Sequence, residues 1–172
     1  MVTDRRMRHM RLKTAAAGSA VFFVVAPCVV AGLVPYWLTG WHLRPMWLPL
    51  RLNGTALTLV AAGVLVHAFY RFVMEGTGTP APVAPPTTLV VGGLYRYVRN
   101  PMYLAVIAAV LGQALLLGQF VLVPYAAVVA VAMAAFVHFY EEPDLRERFG
   151  QSYEEYCRAV PPWVPRLRPW RG

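Results

Sequence analysis

Two polar clusters interrupt an otherwise apolar chain. The first is GGLYRYVRNPMY, residues 92–103, with two arginines, three tyrosines, an asparagine and a proline directly before a long apolar run. The second is Glu141-Glu142, at the end of that run. Asparagine is a strong helix N-cap and proline is favoured at the first helical position, so the spacing predicts a helix starting at Asn100-Pro101. Its free amides and positive dipole end would face the preceding loop and suit an anionic group such as a carboxylate. Arg99 adds a full charge there, and Tyr103 follows in the first turn. If the apolar run folds back on itself, Glu141 returns close to Asn100. An arginine, a positive helix end, a carboxylate and aromatic rings in one place fit a zwitterion. Its carboxylate would go to Arg99 or the helix end, and its amine to Glu141. The competing reading makes the arginines head-group anchors and the tyrosines an interfacial belt; it accounts well for Arg96 and Tyr97. Adjacent carboxylates at a helix exit oppose the dipole, a cost that Glu142-Pro143 softens by starting a new helix.

The elements that must position these groups are membrane helices. Of 172 residues, 58% are hydrophobic and only 14% charged, against about 25% charged in soluble domains; the mean hydropathy is +0.49. The fold class expected is all-α: one integral membrane helical bundle over 1–172, with about four transmembrane helices at 14–38, 52–73, 101–117 and 120–140. The run 14–38 follows a basic leader like that of a signal peptide, but it is long enough to span and further spans follow. Pro27 and Pro35 are tolerable kinks in such a helix. Trp37, Trp41 and Trp47 suit a membrane–water interface. The loop MEGTGTPAPVAPPTT, within 74–100, cannot cross lipid because its backbone would go unsatisfied. Residues 102–140 are too long for one span, so a hairpin turns at Gly118-Gln119, with Gly112-Gln113 as the weaker alternative. Residues 141–172 form a charged cytosolic cap of short helices. Ser152-x-x-Glu155 there reads as a capping box, and Pro161-Pro162 ends that helix.

The net charge is +8. The arginines cluster at the chain ends and beside apolar segments rather than along one polar face, which disfavours nucleic acid and favours anionic lipid head groups. With four spans, fourteen of the sixteen Lys and Arg fall on one side, and only Arg44 and Arg51 on the other. The positive-inside rule then places both termini in the cytoplasm. No Cys/His pattern with metal-ligand spacing exists. Cys28 and Cys157 belong to different membrane levels, which disfavours a disulfide.

GLYRYVRNPMY and EEPDLRERFGQSYEEYCRAVP, separated by an apolar hairpin, resemble the isoprenylcysteine carboxyl methyltransferase and phospholipid methyltransferase superfamily of membrane enzymes. The resemblance covers about residues 87–165. It implies S-adenosyl-L-methionine as cofactor, bound without a dinucleotide fold; no Gly-rich strand-to-helix loop is present. It implies that 74–100 is a cofactor loop holding the ligand through the backbone of Thr87, Thr88, Leu89 and Val90. Further contacts would come from Tyr95, Asn100, Pro101, Met102, Tyr103 and Glu141. Arg99 and Glu142 would give polar support at the reaction centre, and the acceptor would be a lipophilic molecule arriving from the membrane. Many members have His at the position of Asn100. Carboxyl-methylating members have an arginine at the position of Val137, so the acceptor is open. His138, beside it, is a candidate base or substrate contact, set against the plainer reading of a packed histidine. Two other readings are an NADPH-dependent, sterol-reductase-like enzyme and a non-enzymatic membrane protein, the latter with haem between His67 and His138.

Overall fold

The computed structural model describes residues 25–76 and 89–171. Within them the chain is all-α, with no strand. Helix α1 is Val25–Thr39, α2 Leu48–Gly76 and α3 Pro101–Leu117. Helix α4, Leu122–Phe136, runs through a π turn, Val137–Glu141, into α5, Glu142–Phe149; α6 is Gln151–Ala159. The start of the first expected span, 14–24, lies outside the described residues.

Among the described residues two segments, Leu48–Arg71 and Leu122–Phe149, are long and apolar enough to cross a membrane. Only 17% and 22% of the residues in their most apolar stretches are buried in the protein. The core helix of a soluble protein would be mostly buried, so these apolar faces suit lipid. Helices α1 and α3 are apolar but shorter.

Helices α2 and α3 pack most closely, and the reason is glycine. A Cβ on Gly54 would lie 2.7 Å from the Gly112 carbonyl oxygen, and one on Gly112 would lie 2.8 Å from the Thr58 amide nitrogen. Only hydrogen fits between these backbones, as at other close membrane-helix crossings. Gly112-Gln113, the weaker turn candidate, is therefore the interior of a helix crossing. The turn falls at Gly118, whose φ of 68° closes α3. Gln119 ties that turn to the end of α1, donating to the carbonyls of Thr39 at 3.0 Å and His42 at 2.9 Å.

Each π turn sits just ahead of a proline. Val29–Leu33 precedes Pro35, and Val137–Glu141 precedes Pro143. Proline has no N–H for the carbonyl four residues back and crowds it, so the helical ladder slips by one residue. Pro35 thereby frees the Ala31 carbonyl, which Gln113 Nε2 satisfies at 2.7 Å. The Tyr125 hydroxyl donates to the neighbouring Val30 carbonyl at 2.8 Å. Polar side chains of α3 and α4 thus complete the distorted backbone of α1, as an apolar surrounding requires.

Along α4 and into the π turn after it, the buried residues Leu122, Ala126, Val129 and Val137 share one face toward α3. That face and the Gly118 turn bring the end of α4 back beside the start of α3.

Candidate active site

The two polar clusters meet where the hairpin closes. Arg99 Nη1 donates to Glu142 Oε1 at 2.8 Å, and these side chains keep only 12% and 13% of their exposure. The same nitrogen reaches Cys157 Sγ at 2.9 Å and the Tyr153 hydroxyl at 3.3 Å. Arg99 Nε is buried without an acceptor. The other oxygen of Glu142 accepts from Arg146 at 3.3 Å. Arg99 is therefore already answered by a carboxylate, and its free capacity is small.

Glu141 has a different environment. Its Oε2 accepts a hydrogen bond from the Tyr103 hydroxyl at 2.9 Å, and no cation pairs with it among the described residues. The Tyr103 ring lies 6.4 Å from that of Trp163. A partly buried carboxylate beside aromatic faces attracts a cation by charge and by cation–π contact.

Asn100 occupies the N-cap position of α3, but its side chain does not cap the helix. Its Nδ2 donates instead to the Pro162 carbonyl at 3.1 Å. The tail outcompetes the helix because it runs alongside, with the Arg99 amide donating to Pro161 at 3.0 Å. Pro101 has no N–H, and the first closed bond of the helix is Leu104 N–H to the Asn100 carbonyl. The amides of Met102 and Tyr103 consequently have no acceptor among the described residues. Two open amides at a helix start can receive an anion, close to a carboxylate that can receive a cation.

The remaining expected residues divide. Val90, Tyr95 and Met102 pack together with Ala68 of α2 in a buried cluster. Leu89 packs against Tyr153, Tyr156 and Val160. Pro101 is buried at the helix start. Thr87 and Thr88 lie outside the described residues. His138 is not brought to the cluster. It is exposed on the π turn, edge-on to Phe139 with ring centroids 4.8 Å apart, because the buried face of α4 passes through Val137 and the next residue points about 100° away. His67 is exposed on α2, with its ring beside Gly93, whose Cβ would lie 3.2 Å from His67 Nε2.

Sequence reading missed the floor of the site. Tyr153, Tyr156 and Cys157 line one face of α6, and the Tyr156 hydroxyl donates to the Tyr95 carbonyl at 2.7 Å. Their spacing of three and four residues was the available signal. Burial pushes the Tyr153 phenol up from its ordinary value, with Cys157 reinforcing the shift and Arg99 opposing it. Burial raises Tyr156 as well. Both remain neutral donors at physiological pH. The capping box at Ser152 does not form: α6 starts at Gln151 after Gly150, whose φ of 50° makes the corner, and no side chain caps it. Cys28 and Cys157 are both free. No group of three metal-ligating side chains exists among the described residues.

Protein-S-isoprenylcysteine O-methyltransferase of Schizosaccharomyces pombe is 38% identical over 77 residues, 45% of this chain and 33% of that relative. The match thus spans about a third of the relative's length. No solved structure matches the chain. The family model described as phospholipid methyltransferase matches residues 50–152, which include α2 from its third residue, the hairpin, both polar clusters and α5. With more than half of its length matched, the chain belongs to the phospholipid methyltransferase family.

Proposed function

We propose that this protein is an integral-membrane methyltransferase that uses S-adenosyl-L-methionine and methylates a lipophilic acceptor. The observation that carries the reading is the juxtaposition of Glu141, a carboxylate without a cation, with the open amides of Met102 and Tyr103. An amino-acid zwitterion needs both partners in one place. Glu141 would hold the ammonium and the start of α3 the carboxylate, while Tyr103 orients Glu141. Tyr103 and Trp163 offer aromatic faces to a sulfonium. When bound, the cofactor supplies an activated methyl group on sulfur.

The protein's share of the reaction is alignment and exclusion of water, which provide much of the rate in such a displacement. Arg99 and Glu142 act as positioning residues: their ion pair ties the start of α3 to the start of α5. Leu89, Val90 and Tyr95 form the packed wall beneath the site, and Thr87 and Thr88 extend the cofactor loop. Asn100 holds the tail over the pocket through Pro162, and Pro101 leaves the helix end open. His138 is given no part. The chain would cross the membrane four times, with 1–13, 74–100 and 141–172 on the cytoplasmic side. This arrangement agrees with the arginine distribution.

The test is methyl transfer itself. Purified full-length protein in nanodiscs made from a total bacterial lipid extract, given methyl-labelled cofactor, should place label in the organic-extractable fraction. Label no higher than with Glu141→Gln protein would remove the reading.

A further inference from the structure

Beyond Ala159 the chain forms a strap without helix. Its backbone follows residues 96–99: the Arg99 amide donates to Pro161 at 3.0 Å, Arg166 to Tyr97 at 2.9 Å and Trp170 to Arg96 at 2.9 Å. Arg96 Nε donates back to the Trp170 carbonyl at 2.7 Å, and the Trp170 ring packs 5.5 Å from that of Tyr156. The strap is therefore held in one register, and that register turns particular side chains outward. Leu167 is 100% exposed and Val164 72% exposed. Arg168 and Arg171 are exposed beside them.

Several arginines around the strap have no carboxylate partner among the described residues. Arg146 pairs with Glu154, and Arg148 with Asp144. Among the described residues Arg96, Arg158, Arg166, Arg168 and Arg171 pair with no carboxylate, and no Asp or Glu follows Glu155 in the chain. Arg146 and Arg148 on α5 are thus paired, whereas Arg166, Arg168 and Arg171 along the strap have no carboxylate partner among the described residues. The strap hangs from the start of α3, the level at which an apolar helix begins. Aliphatic side chains interleaved with uncompensated arginines at such a level complement an anionic lipid surface, with head groups on the guanidinium groups and acyl chains on the aliphatics.

We propose that residues 161–171 are a docking surface for anionic phospholipids of the adjoining leaflet. Arg96, Arg168 and Arg171 engage the head groups, and Val164 and Leu167 lie below them. The same strap presses Trp163 toward Tyr103 and places the Pro161 and Pro162 carbonyls on Arg99 and Asn100. Docking therefore steadies one wall of the candidate site. The proposal rests on the membrane reading and not on methyl transfer.

The experiment is hydrogen–deuterium exchange of the full chain in nanodiscs of phosphatidylcholine alone or with phosphatidylglycerol added. The amides of Trp163, Val164, Leu167 and Arg168 should exchange more slowly in the anionic discs. Arg168→Gln/Arg171→Gln should weaken that protection about 30-fold, since each arginine near such a surface is worth about fivefold. Equal exchange in both discs, or protection that survives the double substitution, would overturn the proposal. So would equal protection by soluble heparin in neutral discs, which would mark a general polyanion surface. S-adenosylhomocysteine affinity in the same discs separates the two readings: lost protection with retained binding removes docking alone, and protection without binding supports docking while removing the methyltransferase reading.

Discussion

Replacing Glu142 by alanine strips the Arg99 guanidinium of its carboxylate. The acceptors left to Nη1 are neutral, Cys157 Sγ at 2.9 Å and the Tyr153 hydroxyl at 3.3 Å, and Nε already has none. Removing one partner of a buried pair costs about 3–5 kcal/mol because the other charge stays uncompensated. The residual exposure of 12% and 13% and the two neutral acceptors bring the expected loss to about 2–3 kcal/mol. Arg148 and Asp144, exposed to 36% and 38%, form an internal reference worth about 0.2–1 kcal/mol. For a chain of this length 1 kcal/mol corresponds to about 2–4 °C in Tm. Glu142→Ala should therefore lower Tm by about 4–12 °C, and Asp144→Ala by less than about 4 °C. The assay is thermal unfolding of the purified chain in detergent, followed by circular dichroism. Arg99→Met/Glu142→Leu should recover most of the loss, because it removes both desolvated charges together. Equal losses for Glu142→Ala and Asp144→Ala, or a double variant no better than the single one, would refute the reasoning.

Gly54→Ala should destabilise by about 1–3 kcal/mol, since its Cβ meets backbone that cannot retreat without parting α2 from α3. Gly63→Ala, with nothing within 4 Å of its Cβ, should be neutral or gain up to about 1 kcal/mol in the same melts. Gln113→Leu should cost about 1–3 kcal/mol by leaving the Ala31 carbonyl unsatisfied. Adding Pro35→Ala, which restores an N–H for that carbonyl, should return part of the loss in a double-mutant cycle. His138→Ala should leave S-adenosylhomocysteine affinity within about twofold by calorimetry, as the ring points away from the cluster.

The sequence carried the site further than it carried the bundle. Asn100-Pro101, Gly118 and Glu141-Glu142 are punctuation marks, and punctuation fixes where helices start, turn and return. That was enough to expect Glu141 back at the start of α3, near Asn100; its contact with Tyr103, and the pairing of Arg99 with Glu142, are seen only in the structure. What it could not give was the outcome of competition. Asn100 could cap its helix or bind the tail, and only the path of residues 161–170 decides between them. Pro143 signalled a helix boundary but not that the ladder would slip to a π turn ahead of it. Gly112 reads as a weaker turn candidate until Gly54 is placed opposite, which makes it a close crossing. Ser152 matched a capping box by spacing, yet Gly150 makes the corner first and leaves Ser152 inside the helix.

In the proposed site Glu141 receives the positive end of a zwitterion at the open start of α3. Calorimetric titration of the full chain with S-adenosylhomocysteine, wild type against Glu141→Gln, tests it directly. Glutamine keeps the size and the contact with Tyr103 but removes the charge. Wild type should bind measurably and the variant at least about tenfold more weakly, through the loss of one charge-assisted hydrogen bond. Equal affinity for both proteins, or no binding to the wild type, would contradict it.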